Sequence, residues 1–168
     1  NRAAFDAFAA IHHCPAPVVS AVHGFALGAG LAMVGASDVV FAAEGTKFGL
    51  PEINVGMLGG ASHALRLLPM HKVRSMYFTG EPISAAEMYR LGAVEEVLPE
   101  TGLFDRAMEY AKLIAQKEPR CLRFAKEALN GIEPGDLEMT YRYEQGFTFE
   151  LAHLPEGQGA RDAFQRGS

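Results

Sequence analysis

The chain has 168 residues, of which 49% are hydrophobic and 21% charged, and its formal net charge is −5. These fractions are ordinary for a globular domain with a hydrophobic core, and they exclude disordered and fibrous proteins. The acidic balance, with Lys and Arg interleaved with Glu, gives no basic surface for nucleic acid.

The two cysteines and the apolar runs indicate the expected compartment. Cys14 and Cys121 lie far apart without a CxxC pattern, which suits a reducing environment. No window approaches the roughly 18 to 20 apolar residues of a membrane span, and no signal peptide is visible. We therefore expect a bacterial cytoplasmic or organelle-matrix protein that is not secreted. Because Asn1 opens directly inside an amphipathic pattern, we also expect an earlier segment.

In chain order, the first part alternates helices with short strands. A helix over 3–11 stops before Pro15, and a buried strand over 18–22 leads into a glycine turn over 24–30. A small-residue helix over 31–35 is followed by a strand over 38–42 and, after Pro51, by a glycine-rich loop. Loops of this kind carry functional sites more often than cores do.

The second part is dominated by helices. Helical patterns begin at Ala61 and resume over 72–79, and Ser84 with Glu87 forms a capping box for a helix that stops at Gly92. A last strand over 94–98 follows. Further amphipathic helices are predicted over 103–116, 120–129 and 137–151, with a short terminal segment over 160–164.

The glycine segment over 24–30 is the first candidate site. Glycines at the start of a helix allow a ligand to approach free N–H groups, which favour an anion. The segment lacks a complete G-x-G-x-x-G, because Met33 stands where the third glycine would fall, and it has no P-loop lysine. Taken alone, it is equally consistent with a turn that permits tight helix packing.

Several runs share their order and spacing with one known family. They are residues 17–30 (PVVSAVHGFALGAG), Ser37-Asp38, residues 48–56 (FGLPEINVG), Thr79-Gly80 before 83–85 (ISA), and 91–94 (LGAV). With these runs the chain resembles the crotonase (enoyl-CoA hydratase/isomerase) superfamily over nearly its whole length. The resemblance implies an α/β fold: a spiral of β-β-α units at 1–98 that contains the active site, followed by a helical trimerisation region at 99–168.

The resemblance also implies a site for a coenzyme A thioester, with no separate cofactor and no metal. The backbone N–H of Ala29 would be one oxyanion donor, whereas the second donor belongs to an N-terminal motif that this chain lacks. Glu52, in the Pro-Glu motif, would be the catalytic base. The remaining expected substrate contacts are Leu27, Gly28, Gly30, Gly60 and His63. The expected assembly is a homotrimer or a dimer of trimers.

One departure from the family pattern bears on the reaction. Hydratases of the family carry a second glutamate where this chain has Ala32, and a methyl group cannot hold or polarise water. A single Glu52 is the pattern of the family's double-bond isomerases, so isomerisation is the first hypothesis. The alternatives are a hydratase that recruits His63, another thioester-enolate reaction such as decarboxylation or hydrolysis, a non-catalytic trimeric member and, more distantly, a dinucleotide-binding domain.

Other conspicuous side chains favour structural interpretations. His63 is interpreted as a helix-surface or first-turn residue rather than a second acid/base, and Asp38 as a residue that closes a strand. His12 and His13 lack metal-ligand spacing. An apolar group on the last long helix is expected at a subunit interface. A basic group is expected mostly on a solvated face, with one or two members, which the sequence does not identify, as candidates for contact with the CoA phosphates. The apolar group is Phe147, Phe149 and Leu151, and the basic group is Lys112, Lys117, Arg120, Arg123 and Lys126.

Overall fold

Two small three-stranded sheets follow an N-terminal helix along the chain and precede three long C-terminal helices. A computed structural model describes residues 2–154, 162, 165 and 166, so the expected segment over 160–164 lies outside the described residues except at 162. The strands are β1 (Val19–Val22), β2 (Phe25–Leu27), β3 (Val39–Ala43), β4 (Lys47–Gly49), β5 (Ile83–Ser84) and β6 (Glu96–Leu98). The helices are α1 (Arg2–His12), α2 (Ala29–Ala36), a 3-10 helix (Pro51–Val55), α3 (Ala61–Leu67), α4 (Met70–Thr79), α5 (Ala85–Arg90), α6 (Glu100–Ala115), α7 (Pro119–Ile132) and α8 (Leu137–His153).

The first four strands alternate between the two sheets. The first sheet has the order β1-β3-β6 with parallel pairing, and the second has β2 parallel to β4 and β4 antiparallel to β5. The pair β1 and β2 is followed by α2, and the next pair, β3 and β4, repeats the pattern. This repeat is the expected β-β-α unit. The sequence did not predict β2, β4 or β5, which are only three, three and two residues long.

Helix α2 is the centre of the packing that positions the site. Its sequence, AGLAMVGA, contains small residues that let neighbouring backbones approach. At Gly35 an added Cβ would lie 2.8 Å from the His63 carbonyl carbon, so α2 and α3 touch along their backbones. The main core cluster below them contains Leu31, Phe48 and Leu50, each almost completely buried.

The C-terminal helices contact the sheets and α3. Helix α6 covers β1 and β3, where Leu103 and Ala107 join Phe41 in a buried cluster, and α8 packs on α3. A separate oligomerisation role for 99–168 stays a prediction. No helix within the described part of the chain is both long and apolar enough to span a membrane.

An ion pair with a buried lysine, Lys126, links α7 to Asp38, which directly precedes β3. The Asp38 carboxylate accepts from Val18 N and from Lys126 Nζ, each at 2.7 Å, which confirms its structural role. Lys126 also donates to the carbonyls of Ile11 at 3.3 Å and Ala16 at 3.2 Å, and it is only 5% exposed. The assignment of Lys126 to a solvated face is therefore wrong: its ammonium has protein acceptors in place of water.

Candidate active site

The N-terminus of α2 forms one wall of the candidate site. Gly28 precedes the helix with φ 54° and ψ −116°, a conformation that favours glycine, and its N–H donates to Gly49 O at 2.9 Å. Ala29 is the first residue of the helix, where an N–H has no partner within the helix. An N–H group at this position of a helix can donate to a ligand that carries negative charge.

Glu52 lies directly against this wall. The chain leaves β4 at Gly49 and enters the 3-10 helix with Pro51 at its start, where the proline ring presets φ. An added Cβ at Gly28 would lie 3.0 Å from Glu52 Cδ and closer still to Oε1, so any side chain there would collide with the carboxyl group. The glycine segment and the Pro-Glu motif, 24 residues apart in sequence, meet at this point.

The environment of the Glu52 carboxyl suits proton transfer. Its Oε2 is buried and has no hydrogen-bond partner among the described residues. Burial, aided by the negative charge of Glu144, raises the pKa of Glu52, although a backbone hydrogen bond opposes the shift. A half-buried carboxyl with an unused acceptor and a raised pKa has the character of an acid/base group.

Glu144 and Tyr77 form a polar network next to Glu52 that the sequence analysis missed. Tyr77 Oη donates to Glu144 Oε1 at 2.7 Å, and burial together with this bond raises the pKa of Tyr77. Glu144 is 8% exposed, although it belongs to an amphipathic helix. The sequence did contain a signal for this network. Tyr141, Glu144 and Thr148 follow the spacing of one helix face, and a carboxylate on a buried face needs hydrogen-bond partners.

Ala32 lies one turn into α2 and is buried, with 1% exposure. Its N–H donates to Gly28 O at 3.0 Å, and its methyl packs in a cluster with Phe8, Ala36 and Tyr141. The cluster members that pack with Ala32 are apolar or aromatic, and Ala32 itself supplies no carboxylate. That absence removes one way of holding water near Glu52.

His63 is buried among aromatic rings rather than exposed on its helix. It is 2% exposed and packs edge-on against Phe8 and Tyr141, with ring centroids 4.9 and 5.0 Å away. Burial, with a smaller effect from Arg66, lowers the pKa of His63 to about 4. The helix-surface interpretation is wrong because α1 and α8 cover this face, although the position in the first turn of α3 is as expected.

The remaining expected contact residues surround the same wall. Leu27 ends β2 and is 37% exposed, Gly30 is the second residue of α2, and Gly60 precedes α3 with φ 84°. An added Cβ at Gly60 would lie 3.6 Å from Gly28 O, so the two glycine turns touch. Their roles in substrate binding stay predictions, as do those of Ala29, Glu52 and His63. No group of three His, Cys, Asp or Glu side chains suitable for a metal ion occurs within the described ranges.

Each pair of consecutive strands contributes one strand to each sheet, and a glycine turn meets the Glu52 carboxylate at the start of α2, the helix between the two pairs. This arrangement is that of a crotonase-type α/β fold. The chain belongs to the enoyl-CoA hydratase/isomerase family, whose pattern it matches over residues 1–158.

Relatives in this family process different CoA compounds. The chain is 45% identical to the (7aS)-7a-methyl-1,5-dioxo-2,3,5,6,7,7a-hexahydro-1H-indene-carboxyl-CoA hydrolase of Rhodococcus jostii strain RHA1, over 98% of this chain and 64% of the relative. It is 33% identical to a carnitinyl-CoA dehydratase of Salmonella paratyphi B, over 89% and 58% respectively. The crystal structure of a carnitinyl-CoA hydratase from Mycobacterium avium superposes with a TM-score of 0.83 at 29% identity, over 91% and 61% of the two chains. The chain thus spans less than two thirds of each of these three proteins.

Proposed function

We propose that the complete protein is an enzyme that acts on a CoA thioester, with Glu52 as its acid/base group and the Ala29 N–H as one oxyanion donor. The observation that carries the proposal is the buried, unpartnered Glu52 Oε2 held against the N-terminus of α2. A base and a donor on one wall suit reactions that develop negative charge on a carbonyl oxygen.

Within this chemistry, hydrolysis is the favoured reaction. The support is the 45% identity to a CoA hydrolase across almost the whole chain, against 33% to a dehydratase. The substrate class suggested by that relative is an acyl-CoA whose acyl group is a cyclic ketone.

The hydrolytic steps need one carboxylate. Glu52 accepts a proton from water as the water oxygen attacks a carbonyl carbon, and the carbonyl oxygen becomes an oxyanion near Ala29. The carbon–leaving-group bond then breaks, the oxygen regains its double bond, and Glu52 returns the proton to the leaving group. Each oxyanion donor in such sites contributes on the order of 100-fold to 1000-fold in rate.

Double-bond isomerisation is the second candidate, and the observation that favours it is the apolar setting of Ala32. With one carboxylate, Glu52 can take a proton from C2 or C4 of an enoyl thioester and return it to the other carbon. Hydration assisted by His63 has less support, because that ring is buried among Phe8 and Tyr141 and its pKa is lowered to about 4.

Self-association is part of the proposal. Exposed apolar side chains occur on α7 and α8, and they favour burial between subunits of a homotrimer or a dimer of trimers. These residues are Phe124, Leu129, Ile132, Tyr143, Phe147 and Phe149.

The discriminating experiment offers the complete protein three thioesters in ¹⁸O-labelled water: a cyclic β-keto acyl-CoA, a trans-2-enoyl-CoA and a trans-3-enoyl-CoA. Hydrolysis predicts ¹⁸O in the carboxylate product of the first, with slower change of the others. A shifted double bond without ¹⁸O, formed faster than any hydrolysis, would replace hydrolysis by isomerisation. No turnover of any thioester would contradict the proposed enzyme class.

A further inference from the structure

Helix α8 caps α3 with a side chain distant in sequence. Glu144 Oε1 accepts from Ala61 N at 2.9 Å, and Oε2 faces Ser62 N at 3.5 Å. Gly60, at the N-cap position of α3, has no side chain to satisfy these N–H groups. The Glu144 carboxylate therefore provides the cap, and its negative charge suits a helix N-terminus.

The same network holds the loop that precedes α3. Tyr77 Oη, which donates to Glu144, accepts from Gly59 N at 3.2 Å. One turn further along α8, Thr148 Oγ1 donates to Leu58 O at 2.6 Å. Helices α4 and α8 thus fix residues 58–62 at four backbone positions.

This loop touches both parts of the candidate site. Residues 56 and 57 join it to the 3-10 helix that carries Glu52, and Met57 N donates to Glu52 O at 3.0 Å. At its other end, an added Cβ at Gly60 would lie 3.6 Å from Gly28 O and 2.9 Å from Leu50 Cδ2. A shift of the loop would therefore change the placement of Glu52 relative to the start of α2.

We propose that Glu144 is a positioning residue for Glu52: through Tyr77 and the N-terminus of α3, it holds the loop that sets the carboxyl against α2. The proposal rests on the proposed role of Glu52. Displacing a catalytic group by about 1 Å can lower the rate on the order of 100-fold, so a residue that never contacts substrate can control turnover.

The charge of Glu144 gives a second, independent signature. The titratable groups around it are Glu52 on the 3-10 helix, Tyr77 on α4 and Tyr141 on α8 itself, and its negative charge raises the pKa of all three. On α3, His63 packs against Tyr141. Removing the charge while keeping the shape should therefore lower the pKa of Glu52.

The test uses variants of the complete protein. Glu144→Ala should lower kcat on the order of tenfold to 100-fold with little change in KM, and Tyr77→Phe, which removes only the bridging hydroxyl, should lower it less. Glu144→Gln should restore most of kcat, because its amide oxygen can accept the two bonds of Oε1, from Ala61 N and Tyr77 Oη, while the acidic limb of its pH–rate profile moves to lower pH. Exposed Glu150 on the same helix gives the matched control, Glu150→Ala, with wild-type kcat and profile.

A readout without turnover separates this proposal from that for Glu52. The Glu52 carboxyl is titrated by NMR in ¹³C-glutamate-labelled protein, with its signal assigned by Glu52→Gln. A lower midpoint in Glu144→Gln supports the coupling even if Glu52→Gln retains activity, which would refute only the catalytic role. Wild-type kcat in Glu144→Ala and Tyr77→Phe would overturn the positioning role. So would an unchanged titration midpoint of Glu52 in Glu144→Gln. If Glu144→Ala does not fold, Tyr77→Phe and Glu144→Gln still decide.

Discussion

The Glu52 carboxyl and the Lys126 ammonium are both shielded from solvent, but they differ in their hydrogen-bond partners. The Lys126 ammonium has three protein acceptors and Asp38 accepts from two donors, whereas Glu52 Oε2 has no partner among the described residues. A charged group whose hydrogen bonds are all formed holds helices and strands together, whereas a carboxylate with an unused acceptor can still take up a proton.

The same contrast appears in the neighbours of each group. The ion pair connects α7, the end of α1 and the start of β3. Glu52 instead faces the first N–H groups of α2 across a glycine whose side chain would fill the space. The comparison indicates that the partners of a buried charge, rather than burial itself, distinguish the candidate site.

The largest expected effect on stability comes from breaking the satisfied pair. Lys126→Met should lower the free energy of unfolding by about 3 kcal/mol, because two backbone carbonyls lose their donor and the partly exposed Asp38 carboxylate keeps only Val18 N. The exposed Arg123 on the same helix gives the control, and Arg123→Met should change stability by less than about 0.5 kcal/mol. Urea denaturation measures both. Equal effects would show that the pair does not fix α7.

A second prediction concerns the stability of the protein at acidic pH. The pKa of His63 falls from 6.5 to about 4 on folding, so the unfolded chain binds its proton first and stability is lost as pH falls from 6.5 through 4. This difference between the unfolded and folded pKa values corresponds to a loss of unfolding free energy on the order of 3 kcal/mol. His63→Phe should remove most of the loss, and part should persist because burial also lowers the pKa of His12.

The measurement compares the change in unfolding free energy between pH 7 and pH 4, so any constant cost of the phenylalanine cancels. Exposed His71 supplies the control, and His71→Gln should retain the wild-type pH dependence. An unaltered acid loss in His63→Phe would mean that the buried ring is not the group responsible.

The smallest expected effect comes from the unsatisfied group. Because folding raises the pKa of Glu52, its ionisation opposes folding, and the folded state loses stability as pH rises above the ordinary glutamate value of 4.5 through the raised pKa. Glu52→Gln should therefore stabilise the protein at pH 7 by less than the two effects above, with the gain disappearing below pH 4.5. Paired urea titrations at the two pH values check this; destabilisation at pH 7 would assign Glu52 a structural role.

Local patterns in the sequence predicted most elements because the bonds that define them are local. Ser84 Oγ accepts from Glu87 N at 3.2 Å, as the capping box requires, and Gly92 follows α5 with φ 81°. The glycine segment was only partly understood. Phe25–Leu27 form a strand because their partners are Lys47–Gly49, and nothing within three residues flanked by glycines indicates that pairing.

The missed features depend on residues that are distant in sequence. Glu144 lies 83 residues from Ala61, and Lys126 lies 88 residues from Asp38. A helical pattern gives the face on which a charge lies but does not show what covers that face. For this reason Glu52 could be chosen from its motif, whereas the burial of Lys126 and His63 and the role of Glu144 required the tertiary structure.

The central claim is that Glu52 carries the proton chemistry, and the most direct measurement compares Glu52→Gln with the wild-type complete protein on the thioester that turns over fastest. The amide keeps the shape of the carboxyl but cannot accept the proton. The account predicts a loss of kcat on the order of 100-fold to 10,000-fold, with the Kd of the thioester unchanged by calorimetry. A variant that binds the thioester normally and retains wild-type kcat would contradict the account.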